Sequence, residues 1–340
     1  MPWEDLKQIF RPEGVHQGVM KSDPEKCTRP RGSSCQLCWD NCPFRAWEFL
    51  GDREAPTMKP DYQCFSCYNC LVACPRDAIS IVDPYHVDEG FYKTEPHPLP
   101  AKMPLEPLDA NGDPDEWNTI ERAVLNRRSV RNFNVDKPVP EPLIRRVLEA
   151  GRFAPSAGNC QPWKFIVITD QALIHEMDEA IWATINMLHG MYNNDEIVKG
   201  LATGYEANPT PGLYDPRIAV GGMGSIAKRY GPGLLAAPVV ILLLADVRSI
   251  GTPEMNIGIC GQNMTLVANS LGLGACWVGF VSAATMNPVI REKLGIEPPW
   301  EVYTSIVLGY PKFKQSGIVP REFRPVTWFR DGAAGPEVEK

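Results

Sequence analysis

The sequence lacks the features that mark nucleic-acid-binding, membrane-spanning and dinucleotide-binding proteins. It has no block of Lys and Arg, and its formal net charge is −7, so nothing predicts a surface that neutralises phosphates. Its longest apolar stretch, residues 233–245, contains Pro238 and falls short of the ~20 residues that span a bilayer. The fingerprint G-x-G-x-x-G is absent, so the sequence predicts no dinucleotide-binding site. We expect no nucleic-acid partner and no membrane span.

Two further shortages bear on location and on metal binding. The first residues, MPWEDLKQIF, carry charges where a secretory signal needs an apolar stretch, which predicts a cytoplasmic protein. Histidine is scarce, with five residues that form no ligand pattern along the chain. Only His189, near a long irregular stretch at 190–235, is a candidate proton donor.

Cysteine is abundant and unevenly distributed. Of eleven cysteines, eight lie between Cys27 and Cys74. The second half of this group forms the run C-x2-C-x2-C-x3-C-P: Cys64, Cys67, Cys70, Cys74 and Pro75. The first half repeats the end of that run and places one cysteine eight residues upstream: Cys27, Cys35, Cys38 and Cys42. Together with CPRDAISIV at 74–82, this region resembles bacterial ferredoxins with two [4Fe–4S] clusters.

In such ferredoxins the fourth cysteine of each run serves the other cluster. That rule predicts two sets of ligands, which we call the first quartet (Cys27, Cys35, Cys38 and Cys74) and the second quartet (Cys42, Cys64, Cys67 and Cys70). Zinc is the alternative metal, because sites built from four cysteines are common, although zinc does not require three cysteines in successive x2 steps. A disulfide framework is not expected in a cytoplasmic chain. For the distant Cys260 and Cys276 we expect buried packing.

The distribution of residue types predicts two domains and a linker. Residues 1–83 hold the clustered cysteines and form the expected ferredoxin-like domain. Residues 84–117 are rich in proline, which disfavours helix and central strand and predicts an extended linker laid on a surface. Residues 118–330 form the second domain, and residues 331–340 are expected to be a disordered tail.

Helical and strand patterns alternate in the second domain, which predicts an α+β fold with a mixed sheet flanked by helices. Asn118 with Glu121 three residues later is a capping-box start, and a second helix is predicted at 141–150. Strands are predicted at 164–169, 239–245, within 275–280 and at 301–308, with a helix at 257–271. The unbroken apolarity of 239–245 predicts burial on both faces of the sheet.

Four separated motifs in this domain resemble the FMN-dependent nitroreductase family. They are RRSVR at 127–131, APSAGNCQPW at 154–163, LGLGACWVGF at 271–280, and GYP at 309–311 followed by Arg321 and Arg324. RRSVR offers guanidinium groups of the kind that bind a phosphate monoester. The motifs stand in the family's order along residues 119–328.

The resemblance implies a set of residues that bind FMN. Arg127, Arg128, Ser129 and Arg324 would bind the phosphate, with Arg321 as a weaker candidate. Arg131 would lie near flavin N1 and O2 and tune the flavin, and no catalytic side chain is identified. The remaining cofactor-binding candidates lie along the ribityl chain and ring: Pro155, Ser156, Asn159, Gln161, Val278 and Gly279.

The two resemblances together imply an iron–sulfur flavoenzyme. Electrons would enter singly from ferredoxin or a similar low-potential donor, pass through two [4Fe–4S] clusters, collect in pairs on FMN and leave as hydride from N5. The acceptor would be a small electron-poor molecule of the nitro, halogenated or enone type. The family also implies a homodimer with FMN at the subunit interface.

Three alternatives remain open at this point. The chain could be an electron-transfer subunit without a substrate of its own, or a zinc-bearing regulatory module. It could also be a flavin oxidase or dehydrogenase that exports electrons through the clusters. The stretch 190–235 is longer than in compact family members, so the identity of the substrate does not follow from the resemblance.

Overall fold

A computed structural model describes residues 14–88, 93–94, 101–200, 222–315, 317–332 and 335–339. The strands are β1 Val15–His16, β2 Val19–Ser22, β3 Trp47–Glu48, β4 Thr57–Met58, β5 Ile79–Asp83, β6 His86–Val87, β7 Ala101–Lys102, β8 Trp163–Ile168, β9 Val239–Asp246, β10 Gly274–Val278, β11 Trp300–Gly309, β12 Arg321–Glu322, β13 Val326–Trp328 and β14 Glu337–Glu339. The helices are α1 Leu37–Asp40, α2 Asn69–Ala73, α3 Thr119–Asn126, α4 Glu141–Arg152, α5 Gln171–Tyr192, α6 Met223–Ala227, α7 Pro253–Ser270, α8 Val281–Thr285 and α9 Pro288–Lys293.

Residues 14–88, which we call the cysteine region, are built from very short elements. The strand pairs are β1 with β6, β2 with β5 and β3 with β4, all antiparallel. The pairing of β6 with β1 joins residues beyond the expected boundary at 83 to this region. Its buried core is small: Met20, Cys42, Ala46, Trp47, Tyr68, Cys70 and Ile79. With so little apolar surface to bury, such a region depends on additional constraints for its stability.

The remaining chain, which we call the sheet region, is organised around one four-stranded sheet in the order β10-β11-β9-β8. Every residue of 239–245 in β9 is buried, as its unbroken apolarity predicts. Alternate side chains point to opposite faces, so Val240, Leu242 and Leu244 pack with α5 and α8. The intervening residues pack with α4 and α7 on the other face.

The expected mixed sheet is antiparallel in all three of its described strand pairs. Its parallel contact is an isolated bridge between Ser129 and Ala275. Unbroken apolar strands are typical of parallel sheets, but they require only that both faces be covered, and the helices on each side of β9 meet that requirement. The fold is therefore α+β.

The predicted elements of the sheet region are found within a few residues of their expected ends. The side chain of Asn118 accepts hydrogen bonds from the N–H groups of Ile120 and Glu121, and the Glu121 carboxylate accepts one from the N–H of Asn118. The capping box that starts α3 is thus confirmed. No helix in the described residues is long and apolar enough to cross a membrane.

The proline-rich segment and the carboxyl-terminal tail both contribute strands. In the described part of the segment, β7 pairs with β12 of the sheet region, so the chain lies on that surface there. The prediction of a disordered tail is wrong for β14, which pairs with β13. Trp328 Nε1 donates to a Glu339 carboxylate oxygen at 3.1 Å, and this cross-strand contact was not visible in the polarity of the tail alone.

Candidate functional site

The eight clustered cysteines gather into the two predicted quartets. All four members of the first quartet line one small cavity of about 30 Å3. All four members of the second quartet line another of about 20 Å3. None of the eight is in a disulfide. The crossed pattern, in which Cys74 joins the upstream cysteines and Cys42 the downstream ones, is therefore present in the fold.

The thiols of both quartets are crowded and poorly solvated. Burial raises the pKa of the Cys38 and Cys64 thiols to about 12, and it also raises the pKa of Cys42 and Cys70. Neighbouring cysteines of the same quartet raise these pKa values further, because each added thiolate repels the next. Only a group carrying several positive charges would make four thiolates stable together here.

The two halves of the cysteine region repeat one local structure. The N–H of Ala46 donates to Cys42 Sγ at 3.3 Å, and the N–H of Ala78 donates to Cys74 Sγ at the same distance. The third residue after each of these cysteines has a positive φ, 51° at Arg45 and 48° at Asp77. The repeat turns a backbone N–H toward a sulfur in each quartet, and such hydrogen bonds tune cluster potentials.

The donor set of each quartet suits more than one metal group. Four cysteine thiols bind either a [4Fe–4S] cluster or a zinc ion. In the described residues, the one group of three or more His, Cys, Asp or Glu ligand atoms that lie within 4.8 Å of one another comes from two histidines and an aspartate.

Three guanidinium groups in the sheet region form a second site, which we call the arginine group: Arg127, Arg128 and Arg321. Burial and the nearby charge of Arg321 lower the pKa of Arg127. Burial and the charge of Arg127 lower the pKa of Arg128, whose side chain donates to the carbonyls of Asn126 and Gly317. Half-buried cations that repel one another favour a bound anion such as a phosphate.

Arg324 lies outside this arrangement, since its guanidinium pairs with the Glu322 carboxylate. The charge of Arg321 acts on Arg127, which makes Arg321 a second candidate for the phosphate. The ranking of Arg324 above Arg321 stays a prediction.

The RRSVR segment is fixed against β10. Ser129 forms its bridge with Ala275, and the N–H of Val130 donates to the Ala275 carbonyl at 2.9 Å. A Cβ at Gly274 would lie 2.7 Å from Val130 Cγ1, so only glycine permits this close approach. Packing therefore requires glycine at position 274 of the LGLGACWVGF motif.

A cavity of about 390 Å3, which we call the central cavity, lies between the cysteine region and the sheet region. From the sheet region it is lined by three residues of the predicted flavin set, Arg131, Val278 and Gly279. From the cysteine region it is lined by residues 40–45, which include Cys42. One cysteine of the second quartet thus belongs both to a quartet and to the wall of the central cavity.

Two side-chain contacts hold the regions together beside this cavity. Asn132 Nδ2 donates to the carbonyl of Asp40 at 2.8 Å, and Gln315 Nε2 donates to Asn41 Oδ1 at 2.7 Å. Val319 packs against the buried core of the cysteine region. The sequence analysis did not identify these contacts, because isolated Asn and Gln residues carry no pattern.

The APSAGNCQPW segment lies elsewhere. Pro155, Asn159 and Gln161 are exposed, Ser156 is half-buried, and none of them lines the central cavity. The N–H of Gln161 donates to Ser156 Oγ at 2.9 Å, and Asn159 and Gln161 have positive φ. The segment is a structured, exposed loop that one chain does not bring to Arg131.

The described part of the 190–235 stretch, with the residue after it, forms a wall of the central cavity through Ser225, Tyr230, residues 231–233 and residues 235–236. Residues 201–221 lie outside the described residues. Ser225 is buried, and its hydroxyl has no hydrogen-bond partner within the part of the chain that is described. His189 does not line the cavity and contacts Asn193 on its own helix end. Ser225 is thus a better-placed polar group than His189.

Comparisons with known proteins place the matched region in the second half of the chain. A sequence model of the nitroreductase family matches residues 124–310. A protein named putative NADH dehydrogenase/NAD(P)H nitroreductase from Archaeoglobus fulgidus is 27% identical over 195 residues, which cover 56% of this chain and 84% of that protein. Chloronitrobenzene nitroreductase of Comamonas testosteroni is 25% identical over 210 residues, 56% of this chain and 86% of that protein. A crystal structure of a nitroreductase with bound FMN from Bacteroides fragilis is similar to 59% of this chain and 95% of its own, with a TM-score of 0.44 and 21% identity.

Proposed function

Because the chain belongs to the nitroreductase family, we propose that it is an FMN-dependent oxidoreductase whose cysteine region carries two [4Fe–4S] clusters. Electrons flow from a low-potential donor such as ferredoxin, through the cysteine region, to FMN and on to a small electron-poor acceptor. The clusters supply one-electron transfer, and FMN supplies conversion between one-electron and two-electron chemistry.

The observation that carries this proposal is the shared wall of the central cavity. Cys42 belongs to the second quartet and also faces the cavity that Arg131, Val278 and Gly279 line. The hydrogen bond from Asn132 to Asp40, adjacent to that wall, keeps the two regions in register. A cluster ligand and the flavin-binding residues thus share one cavity, which is the arrangement that electron transfer between them requires.

The quartets fit iron–sulfur clusters by their donor set. Each offers four free thiols around a small enclosed cavity, and the C-x2-C-x2-C-x3-C-P run that supplies half of them has the spacing of two-cluster ferredoxins. The first quartet lies away from the central cavity and the second borders it. The first quartet would therefore receive electrons from the donor, and the second would face the flavin.

The arginine group fits the phosphate of FMN. Arg127 and Arg321 offer charge-assisted donors, Ser129 is fixed beside them on β10, and Arg131 would place a cation at the flavin ring. A cation there stabilises the reduced, anionic ring. Arg324 would act only indirectly, through its neighbour Glu322.

The position of Pro155, Asn159 and Gln161, which are exposed, and of Ser156, which is half-buried, suits a homodimer. If these residues bind FMN, as the family resemblance implies, they must come from a second copy of the chain, because the copy that provides Arg131 holds them away from its cavity. Each flavin would then lie between two protomers. A Ser156→Ala protein that binds FMN as a monomer would contradict this arrangement.

The walls of the cavity favour a flat, weakly polar acceptor. Phe44, Trp277 and Phe280 contribute aromatic surface, and Ser225 supplies a buried hydroxyl without a protein partner in the described residues. A hydroxyl of this kind donates to a nitro or carbonyl oxygen without placing a charge in an apolar site. Nitroaromatic and enone compounds therefore suit the cavity.

Composition is the first experiment. Protein purified anaerobically should contain about eight iron and eight sulfide per chain, together with one FMN released by heat. Two zinc ions and no sulfide would contradict the cluster proposal and leave the flavin proposal standing. FAD in place of FMN would contradict the flavin assignment alone.

Turnover is the second experiment, and it separates an enzyme from an electron-transfer subunit. With reduced ferredoxin as donor, nitrobenzene and a cyclic enone should be screened as acceptors, each with the wild type and with Ser225→Ala. Reduction of neither acceptor, and of no other electron-poor compound, would favour a subunit that only transfers electrons. The saturated product of the enone could instead reduce the flavin, with oxidised ferredoxin as the electron acceptor. That result would favour a flavin dehydrogenase that exports electrons through the cysteine region.

NADH is a second candidate donor, because the relative from Archaeoglobus fulgidus is named for NADH and NAD(P)H. It would have to react at the flavin face, since the sequence has no dinucleotide fingerprint. Equal rates with NADH and with reduced ferredoxin would show that entry through the cysteine region is not obligatory.

A further inference from the structure

Outside the quartets and the central cavity, two histidines and an aspartate converge at the edge of the cysteine region. His16 Nε2 lies 2.5 Å from Asp88 Oδ2, and His86 Nε2 lies 3.8 Å from Asp88 Oδ1. One ligand atom from each of the three residues lies within 4.8 Å of the others. Ligands of a zinc ion stand roughly 3–4 Å apart, because each is about 2 Å from the metal.

The backbone fixes this arrangement. His16 and His86 are directly opposite each other in the pairing of β1 with β6, and the N–H of Asp88 donates to the carbonyl of Gly14 at 3.0 Å. The two imidazole rings stack at 4.4 Å with an interplanar angle of 17°. Both Nε2 atoms face the same carboxylate, and an ion would replace the hydrogen bond between His16 and Asp88.

His86 has the second contact that a metal-binding histidine usually has. Its Nδ1 lies 2.9 Å from the carbonyl of Pro84, which can only accept a hydrogen bond, so Nδ1 carries the proton. In the neutral ring, Nε2 then has a lone pair directed toward the carboxylate. Metal-bound histidines are oriented in this way by a hydrogen bond from the other ring nitrogen to a carbonyl or carboxylate.

The chemistry of the group favours a divalent cation. The His86 side chain is only 8% exposed and has acidic groups on both sides, with Nδ1 3.8 Å from Asp83 Oδ2 and Nε2 3.8 Å from Asp88 Oδ1. Imidazole nitrogens with one carboxylate oxygen are ligands that zinc accepts. The side chains of His16 and Asp88 are 47% and 42% exposed, so water can reach the remaining coordination position.

We propose that His16, His86 and Asp88 form a zinc-class divalent cation site, separate from both quartets. The ion would join β1 to β6 across a sheet that has only two residue pairs. The two residues that follow β1 contact the second quartet. Gln17 Oε1 accepts a hydrogen bond from the N–H of Cys64 at 2.9 Å, and the N–H of Gly18 donates to the Cys64 carbonyl at 2.8 Å. The ion would therefore hold β1 next to residues that support a member of the second quartet.

The test uses the anaerobically purified holoprotein, washed with chelator and then dialysed against Zn2+. Iron, sulfide and zinc are measured on the same samples. Wild type and the control His175→Ala, whose exposed histidine lies far along the chain, should each retain one zinc per chain. His86→Ala and Asp88→Asn should bind zinc at least 10-fold more weakly, as expected when one of three protein ligands is lost, with their iron and sulfide unchanged.

X-ray absorption at the zinc edge gives a second result that does not depend on the folding of a variant. The bound zinc should show nitrogen and oxygen neighbours only. Sulfur neighbours would mean that zinc has entered a quartet, and they would overturn the proposal. So would a wild type that retains no zinc, or a soluble Asp88→Asn protein that retains as much as wild type.

Discussion

The cysteine region and the sheet region are stabilised by different means, although they lie side by side in one chain. The sheet region buries both faces of β9 under helices, so its apolar core alone can offset the entropy of folding. The cysteine region has strands of two to five residues and a small core that includes two of the cysteines. Its fold therefore depends on what its side chains bind. The proposed redox sites would have the same division, with cluster ligands in the weakly packed region and flavin-binding residues in the strongly packed one.

The largest effect should come from removing a quartet ligand. In Cys70→Ser the second quartet loses a buried thiol, and we expect loss of about half the iron and unfolding of residues 14–88, because such ligands supply folding free energy in small metal domains. Hydrogen exchange should show rapid exchange there and protected amides in β9.

The matched control is Cys260→Ala, which removes a cysteine that is fully buried in the core of the sheet region. It should keep all its iron and lose only a little stability. Equal loss of iron in both variants would mean that iron binding does not depend on the quartet cysteines in particular. The proposed difference in how the two regions are stabilised would then be wrong.

The arginine group should give the next largest effect. Replacing Arg127 or Arg321 with Ala removes a charge-assisted donor, which should cost about 1.5–3 kcal/mol and weaken FMN binding roughly tenfold to a hundredfold. Arg324→Ala is the control, because that guanidinium pairs with Glu322. Fluorescence titration of apoprotein with FMN measures all three, and a larger loss in Arg324→Ala than in Arg321→Ala would support the ranking made from the sequence.

Packing of the RRSVR segment should give a smaller effect confined to the sheet region. In Gly274→Val the new side chain would collide with Val130, and overpacking of this kind costs about 1–3 kcal/mol. Gly258→Ala, in helix α7, meets nothing within 4 Å and should be neutral or slightly stabilising. The free energy of unfolding, measured by chemical denaturation with hydrogen exchange in β9 as the probe, distinguishes the two variants. A Gly274→Val protein as stable as wild type would show that Val130 and residue 274 are not tightly packed.

The smallest effect concerns pH and Asp178, whose carboxylate accepts the N–H of Leu234 at 2.7 Å beside the central cavity. Burial raises the pKa of Asp178 from 3.8 to about 6. Because the folded state holds this proton more tightly, the contribution to stability is complete below pH 3.8 and is lost as pH rises to about 6. Asp178→Asn keeps an acceptor without the charge, so its melting temperature should exceed that of wild type above pH 6 and match it near pH 4. A constant difference across that range would contradict the assignment.

Local patterns predicted much of this molecule. The resemblance of the cysteine-rich segment to two-cluster ferredoxins predicted which cysteines line each small cavity, including Cys74 with the upstream group. Asn118 and Glu121 predicted the start of α3, and the unbroken apolarity of 239–245 predicted the buried strand, because burial and capping depend on nearby residues.

Apart from the quartets, contacts between residues far apart in the chain were not predicted. His16 and His86 meet only because β1 pairs with β6, so the histidines showed no ligand pattern along the chain. Cys42 and Arg131 line one cavity only because of how the two regions pack. In each case the information lies in tertiary contacts that a local pattern does not contain.

The central claim is that electrons reach the flavin through the cysteine region, and flavin absorbance followed anaerobically after mixing with reduced ferredoxin tests it most directly. The comparison is between wild type and a Cys64→Ala protein that still contains FMN, with dithionite as the direct reductant for each. We predict that ferredoxin reduces the flavin of wild type and fails with Cys64→Ala, while dithionite reduces both. Flavin reduction by ferredoxin at the wild-type rate in Cys64→Ala would contradict the account.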